Sequence, residues 1–214
     1  MVKSLKSVVV LMLLITATLH AQSDQIEAKS IRKAFEAEGI NKAHIFTGIT
    51  DWFAKEENAA NNEISVADKE NGHIVVKGMV KVLFKNIGTE LYPKRSGMAE
   101  VLEAKFNHVV TIDIVDNAYT VTYTLLDMIK EMYGQEETFF NCVNFVEIDE
   151  EALEQYNKSM EKVFKRNFVF KNKREIFFEN SRSQFQEVSS FILNEAQVNM
   201  YSLHEEVISG YRKE

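Results

Sequence analysis

Two periods of apolar spacing run through this chain and divide it into helix and strand. From Asn41 to Glu57 the residues Ile45, Phe46, Ile49, Trp52 and Phe53 recur at helical spacing. They predict an amphipathic helix with one buried aromatic stripe and Asn41 as its N-cap. Glu63 to Asp68 then alternates with the period of a strand. Lys69 to Gly72 is a turn, because Asn71-Gly72 accepts the positive φ that a tight reversal needs. His73 to Phe84 alternates again. Ile74, Val76, Gly78, Val80, Val82 and Phe84 share one face. Lys77 and Lys81 lie on the other, interleaved with Val75, Met79 and Leu83, so that second face is only half polar. It is either a surface open to a ligand or partner, or one that the C-terminal helix covers.

Lys85 to Glu103, with Tyr92-Pro93-Lys94-Arg95-Ser96-Gly97, reads as an exposed loop or short helix inserted between strands. Phe106 to Val115 is a strand with Phe106, His108, Val110, Ile112 and Ile114 on one face. Asp116-Asn117 is a two-residue turn into Tyr119, Val121, Tyr123 and Leu125, which alternate with Thr120, Thr122 and Thr124. The loop length and the β-prone composition make these two segments a hairpin. Gln25 to Glu38 is open between a helix, by propensity, and a strand carrying Ile31, Phe35 and Ala37.

No glycine or proline lies between Gly134 and Gly210, which favours long helices. One opens at Ile148-Asp149-Glu150-Glu151 and runs to about Arg166, with Leu153, Tyr156, Met160 and Phe164 at helical spacing. Its acids sit at the positive helix end, so they read as helix-start electrostatics rather than a metal site. The last helix carries Phe178, Phe185, Val188, Ile192, Ala196, Met200 (or Asn199), Leu203 and Val207 in a heptad-like stripe. That stripe fits packing on the domain, pairing with a second chain through 174–208, or a break into two helices. Phe177, Phe191, Val198 and Tyr201 widen the apolar arc and favour packing within the fold.

The N-terminus changes the picture from architecture to destination. Lys3 and Lys6 precede an apolar run from Ser7 to Leu19, about 13 residues against the ~20 that span a bilayer. Residues 1–21 read as a cleavable export signal, with the cut between Ala21 and Gln22 and no stable membrane insertion afterwards. Lipid anchoring at the cut needs a cysteine there, and position 22 is Gln. The expected destination is the periplasm or the extracellular space. The expected organisation is a signal at 1–21, an α+β domain at 22–167, and a helical extension at 168–214 packing on it.

The chain holds 25 basic and 32 acidic side chains, net −7, and loss of Lys3 and Lys6 with the signal brings this to −9. Such a charge disfavours nucleic acid as a partner. The basic cluster from Lys162 to Arg174 reads as a solvated helix–loop–helix junction. The single cysteine, Cys142, rules out an intramolecular disulfide and sits in an apolar setting, as a buried thiol does. No metal or cofactor motif is present, and GxSxG and HExxH spacings are absent. His73 and His108 fall on neighbouring strands and are the candidates for a hydrolase site.

Several of these segments together resemble the domain of unknown function 4468, a family of mostly exported Bacteroidetes proteins with a TBP-like fold. The resemblance is carried by Phe35-Glu-Ala-Glu-Gly-Ile-Asn-Lys-Ala-His-Ile-Phe46, Trp52-Phe-Ala-Lys55, Asp68-Lys-Glu-Asn-Gly-His-Ile-Val-Val-Lys-Gly78 and the hairpin at Asp116-Asn117. It covers about residues 32–126 and leaves out the long C-terminal helix. It implies an antiparallel sheet in the order β-α-β-β-β-β-α and tips Ile31–Glu38 toward strand. It implies no activity and no site residue, and a shared fold does not carry DNA binding with it. The functions in view are a non-enzymatic binding or structural module of the cell envelope, meeting an envelope protein or small ligand; an extracytoplasmic hydrolase near His73 and His108; and a helix-mediated self-association module.

Overall fold

The computed structural model describes residues 24–55, 60–129, 135–167 and 169–211. The export signal and its cut at Ala21 and Gln22 lie outside the described residues. Among the described residues six strands and five helices follow one another: β1 (Gln25–Ile26), β2 (Ser30–Glu36), α1 (Lys42–Ala54), β3 (Asn62–Asp68), β4 (His73–Lys85), α2 (Ile87–Leu91), β5 (Val101–Val115), β6 (Ala118–Met128), α3 (Glu136–Cys142), α4 (Glu150–Arg166) and α5 (Lys171–Tyr211). The strands form one antiparallel sheet in the order β1-β2-β6-β5-β4-β3. The architecture is α+β, as expected, with the ambiguous N-terminal stretch resolved as strand.

The elements form where the residue pattern demands them. The Asn41 side chain accepts the His44 N–H and caps α1, and Ile45, Phe46, Ile49, Trp52 and Phe53 are all buried. Gly72 takes φ +71° in the β3–β4 turn and its carbonyl accepts the Ile114 N–H. The β5–β6 tip grips the loop before α1. Asp116 accepts from the Lys42 N–H, and Asn117 accepts from the Gly39 N–H. Asp149 caps α4 by accepting from the Glu151 and Ala152 N–H groups.

Two expectations change. Strand β5 starts at Val101 rather than Phe106, because Glu103 pairs with Lys81 at 3.1 Å and with Lys105 at 3.1 Å, which settles a charged stretch on a solvated sheet face. The insertion shrinks accordingly to residues 86–100, and it is not wholly exposed: Ile87 and Leu91 of α2 are buried.

The second change concerns the sheet's faces. α5 is one unbroken helix and lies on the face of Ile74, Val76, Val82, Phe106 and Ile112, together with α1. Phe185, Val188, Ile192, Ala196, Met200, Leu203 and Val207 are buried there. The half-polar face is left open, with Leu83 exposed at 59%. The helix covers the more apolar face because each buried apolar side chain contributes in proportion to area removed from water. Of the wider arc, Phe177 is buried, whereas Phe191, Val198 and Tyr201 stay exposed.

Candidate functional site

Where α1 and α5 diverge above the edge of the sheet, they leave a cleft of about 360 Å³. Its walls are apolar: Trp52 and Phe53 from α1, Val80, Val110 and Val121 from the sheet, and Phe191, Ala196, Met200 and Leu203 from α5. Its polar groups are Asn61 just before β3, Asn62 at its start, Lys81 on β4, His108 on β5, Tyr123 on β6, and Glu195 and Asn199 on α5.

Alternation along β5 and β6 brings His108 and Tyr123 to this face. Their rings stack with centroids 4.6 Å apart. His108 Nε2 lies 3.2 Å from Asn62 Oδ1. Room for this pair comes from Gly78, which sits opposite His108 in the β4–β5 register. A Cβ at position 78 would overlap both Asn62 Oδ1 and the His108 ring. Gly78→Ala is therefore expected to destabilise the protein by about 1–3 kcal/mol and to displace the His108 ring, read by chemical denaturation and by the ring's NMR shifts.

Two polar atoms at this end of the cleft have no hydrogen-bond partner among the described residues. One is His108 Nδ1. The other is the hydroxyl of Tyr123, which unlike His108 Nδ1 is open to the cleft. Unsatisfied buried polar atoms are uncommon and mark places where a ligand or water completes the structure. Burial holds the His108 imidazole down to about 4 and pushes the Tyr123 phenol up, with Glu195 adding to the latter. His108 is thus neutral at pH 7.

The His108 shift has a consequence for stability. The imidazole takes its proton near pH 6.5 when unfolded but only near 4 when folded. Its stabilisation is present above pH 6.5 and is lost as the pH falls toward 4. Between pH 7 and pH 4.5 the wild type should lose about 2 kcal/mol more than His108→Asn, measured as the difference in urea unfolding free energies.

The other residues singled out in the sequence fall elsewhere. His73 does not join His108. It pairs with Asp113, at 2.7 Å, on the open face. The residue opposite His108 is Gly78, five positions along β4 from His73, an odd step that turns the side chain to the other face. The two histidines are about 17 Å apart along the strands, so they cannot share a substrate. Cys142 is fully buried and burial pushes its thiol up to about 12. Among the described residues no group of three His, Cys, Asp or Glu side chains converges as a metal site would require. No described helix is long and apolar enough to cross a membrane.

A second cavity of about 640 Å³ lies between α2, α4 and α5, lined by Phe84, Ile87, Met160 and Phe177. Its side-chain amides are engaged within the protein: Gln184 donates to the Lys85 carbonyl, Asn86 to the Ala99 carbonyl and Asn167 to the Val163 carbonyl, while the Gln135 oxygen accepts from the Thr138 and Ser159 hydroxyls. The smaller cleft is the stronger candidate, since it alone combines apolar walls with a shifted histidine. Sequence reasoning named His108 but missed Asn62, Tyr123 and Glu195 as its neighbours. The available signal was Gly78, a glycine on the inward face of an otherwise bulky strand.

Comparison with known proteins adds the family. Residues 32–128 match the family described as "Domain of unknown function (DUF4468) with TBP-like fold". Among solved structures, this chain is similar to a TBP-like protein from Parabacteroides distasonis, at 13% identity over 82% of this chain and 92% of that one, with TM-score 0.47. It is also similar to a DUF4468 family protein from Bacteroides ovatus, at 16% identity over 69% of this chain and 86% of that one, with TM-score 0.41. No curated protein matches. The matched segment 32–128 holds α1, α2 and the sheet from within β2 to β6, is similar over that span to the DUF4468 family with its TBP-like fold, and leaves α3, α4 and α5 outside.

Proposed function

We propose that this chain is an exported, non-enzymatic binding module of the cell envelope, and that the cleft between α1, α5 and the sheet holds a small ligand. The observation that carries the binding site is the buried, unpartnered His108 Nδ1 beside the Tyr123 ring, in a cleft with apolar walls. Polar groups that fix orientation inside an apolar cleft are the usual make-up of a ligand site. Export rests on the basic n-region, the short apolar run and the Ala21–Gln22 junction.

Hydrolysis fits the cleft less well. His108 faces the Asn62 amide rather than a carboxylate, and a base held near 4 is a weak proton acceptor at neutral pH. Self-association through 174–208 would have to use the outer arc of Phe191, Val198 and Tyr201, since the heptad-like seam is spent inside the fold.

One preparation tests the proposal. Protein recovered from the periplasmic fraction should have the mass of a chain beginning at Gln22. Titrated with phenethyl alcohol, it should give a saturable change in the emission of Trp52, the only tryptophan. A full-length mass, or an emission that drifts linearly with the alcohol, contradicts the corresponding half of the proposal.

A further inference from the structure

Resting on the ligand-binding reading of the cleft, we infer that its ligand is an organic cation: an apolar, aromatic or aliphatic body carrying one protonated amine. The charges at the cleft point to this class. Glu195 is half-buried in the wall and has no basic partner among the described residues. It lies close enough to Tyr123 for its charge to act on the phenol. The one basic side chain in the lining, Lys81, is held by Glu103 at 3.1 Å, and the alternation of β4 places it with Glu103 on the open face. The cleft therefore presents a carboxylate with no cation set against it.

The neutral groups suit the same ligand. An ammonium has donors only. The Tyr123 hydroxyl and the Glu195 carboxylate supply acceptors at one end of the cleft. His108 adds another: with Nε2–H donating to Asn62 Oδ1, the unpartnered Nδ1 carries a lone pair. Trp52, Phe53 and Phe191 line the remainder, and aromatic faces attract cations as well as apolar surface. A carboxylate ligand would meet Glu195 as a like charge, while the one cation in the lining, Lys81, is already paired with Glu103.

Three probes of nearly one shape separate the possibilities: phenethylamine, phenethyl alcohol and phenylacetate, each titrated at pH 7 against the intact protein and followed through Trp52 emission. Phenethylamine should bind at least ten-fold tighter than the alcohol, and phenylacetate should give no saturable change. Glu195→Gln, which keeps the side chain's shape and a carbonyl acceptor but removes its charge, should lose the ten-fold advantage of the amine over the alcohol. Equal binding of amine and alcohol, or an advantage that survives Glu195→Gln, overturns the cation inference and leaves the cleft as a ligand site. Absence of a saturable response to all three overturns both.

Discussion

Removal of α5 by truncation before Lys171 is expected to leave a chain with no cooperative unfolding transition. The helix is not an appendage. Phe185, Val188 and Ile192 are fully buried, and Ala196, Met200, Leu203 and Val207 are at most 3% exposed. Burying a Val, Leu, Ile, Phe or Met side chain contributes about 1.5–3 kcal/mol, and a whole domain is stable by only about 5–15 kcal/mol. Loss of six such side chains, about 9–18 kcal/mol, is as large as that whole margin. It would also strip the inner sheet face, where Val76, Phe106 and Ile112 lie under the helices. Near-UV circular dichroism and urea titration of the truncated chain check this. A sharp transition at a wild-type-like midpoint would show that the sheet and α1 suffice, and that the helix only decorates them.

Phe139→Ala should cost about 3–5 kcal/mol, or a fall in Tm of roughly 8–15 °C. Phe139 is fully buried, and its ring meets Phe84 at 5.7 Å, Phe106 at 6.4 Å, Tyr156 at 6.1 Å and Phe185 at 4.8 Å. It joins β4, β5, α4 and α5 from a helix of 7 residues, too short to persist alone. Truncation to Ala leaves a cavity where those four elements meet. None of the cleft residues touches this ring in the aromatic network, so at low temperature phenethyl alcohol binding should be unchanged. Calorimetry and the Trp52 titration together separate a loss of stability from a loss of the site.

Much of the fold was legible because period and burial coincide. The α1 stripe, the inward alternation from Phe106 to Ile114, the turn at Asp116-Asn117 and the helix start at Asp149-Glu150-Glu151 each depend on residues close in sequence, and each stands where its spacing put it. The start of β5 was not legible, because Glu103 becomes strand-compatible only through Lys81, which is distant in sequence. The placement of α5 was half legible. Its stripe required an apolar partner, and the sequence offered two sheet faces. The helix took the one richer in branched and aromatic side chains and left Val75, Met79 and Leu83 on the other.

The cleft was the least legible feature. Trp52, Asn62, His108, Tyr123 and Glu195 come from five elements, and no spacing links them. The histidine pair shows the limit from the opposite side. His73 and His108 lie on adjacent strands, as the sequence suggested, yet the register pairs His108 with Gly78 and sends His73 to the open face. Strand adjacency alone does not fix proximity; register and parity do.

The most direct measurement is a histidine- and tryptophan-labelled NMR titration of the intact protein with phenethylamine. The Trp52 indole and the His108 ring should shift together and saturably, while His73, on the open face with Asp113, stays still. Movement of His73 with Trp52 and His108 unchanged would put the ligand on the open sheet face and contradict the placement of the site under α1 and α5.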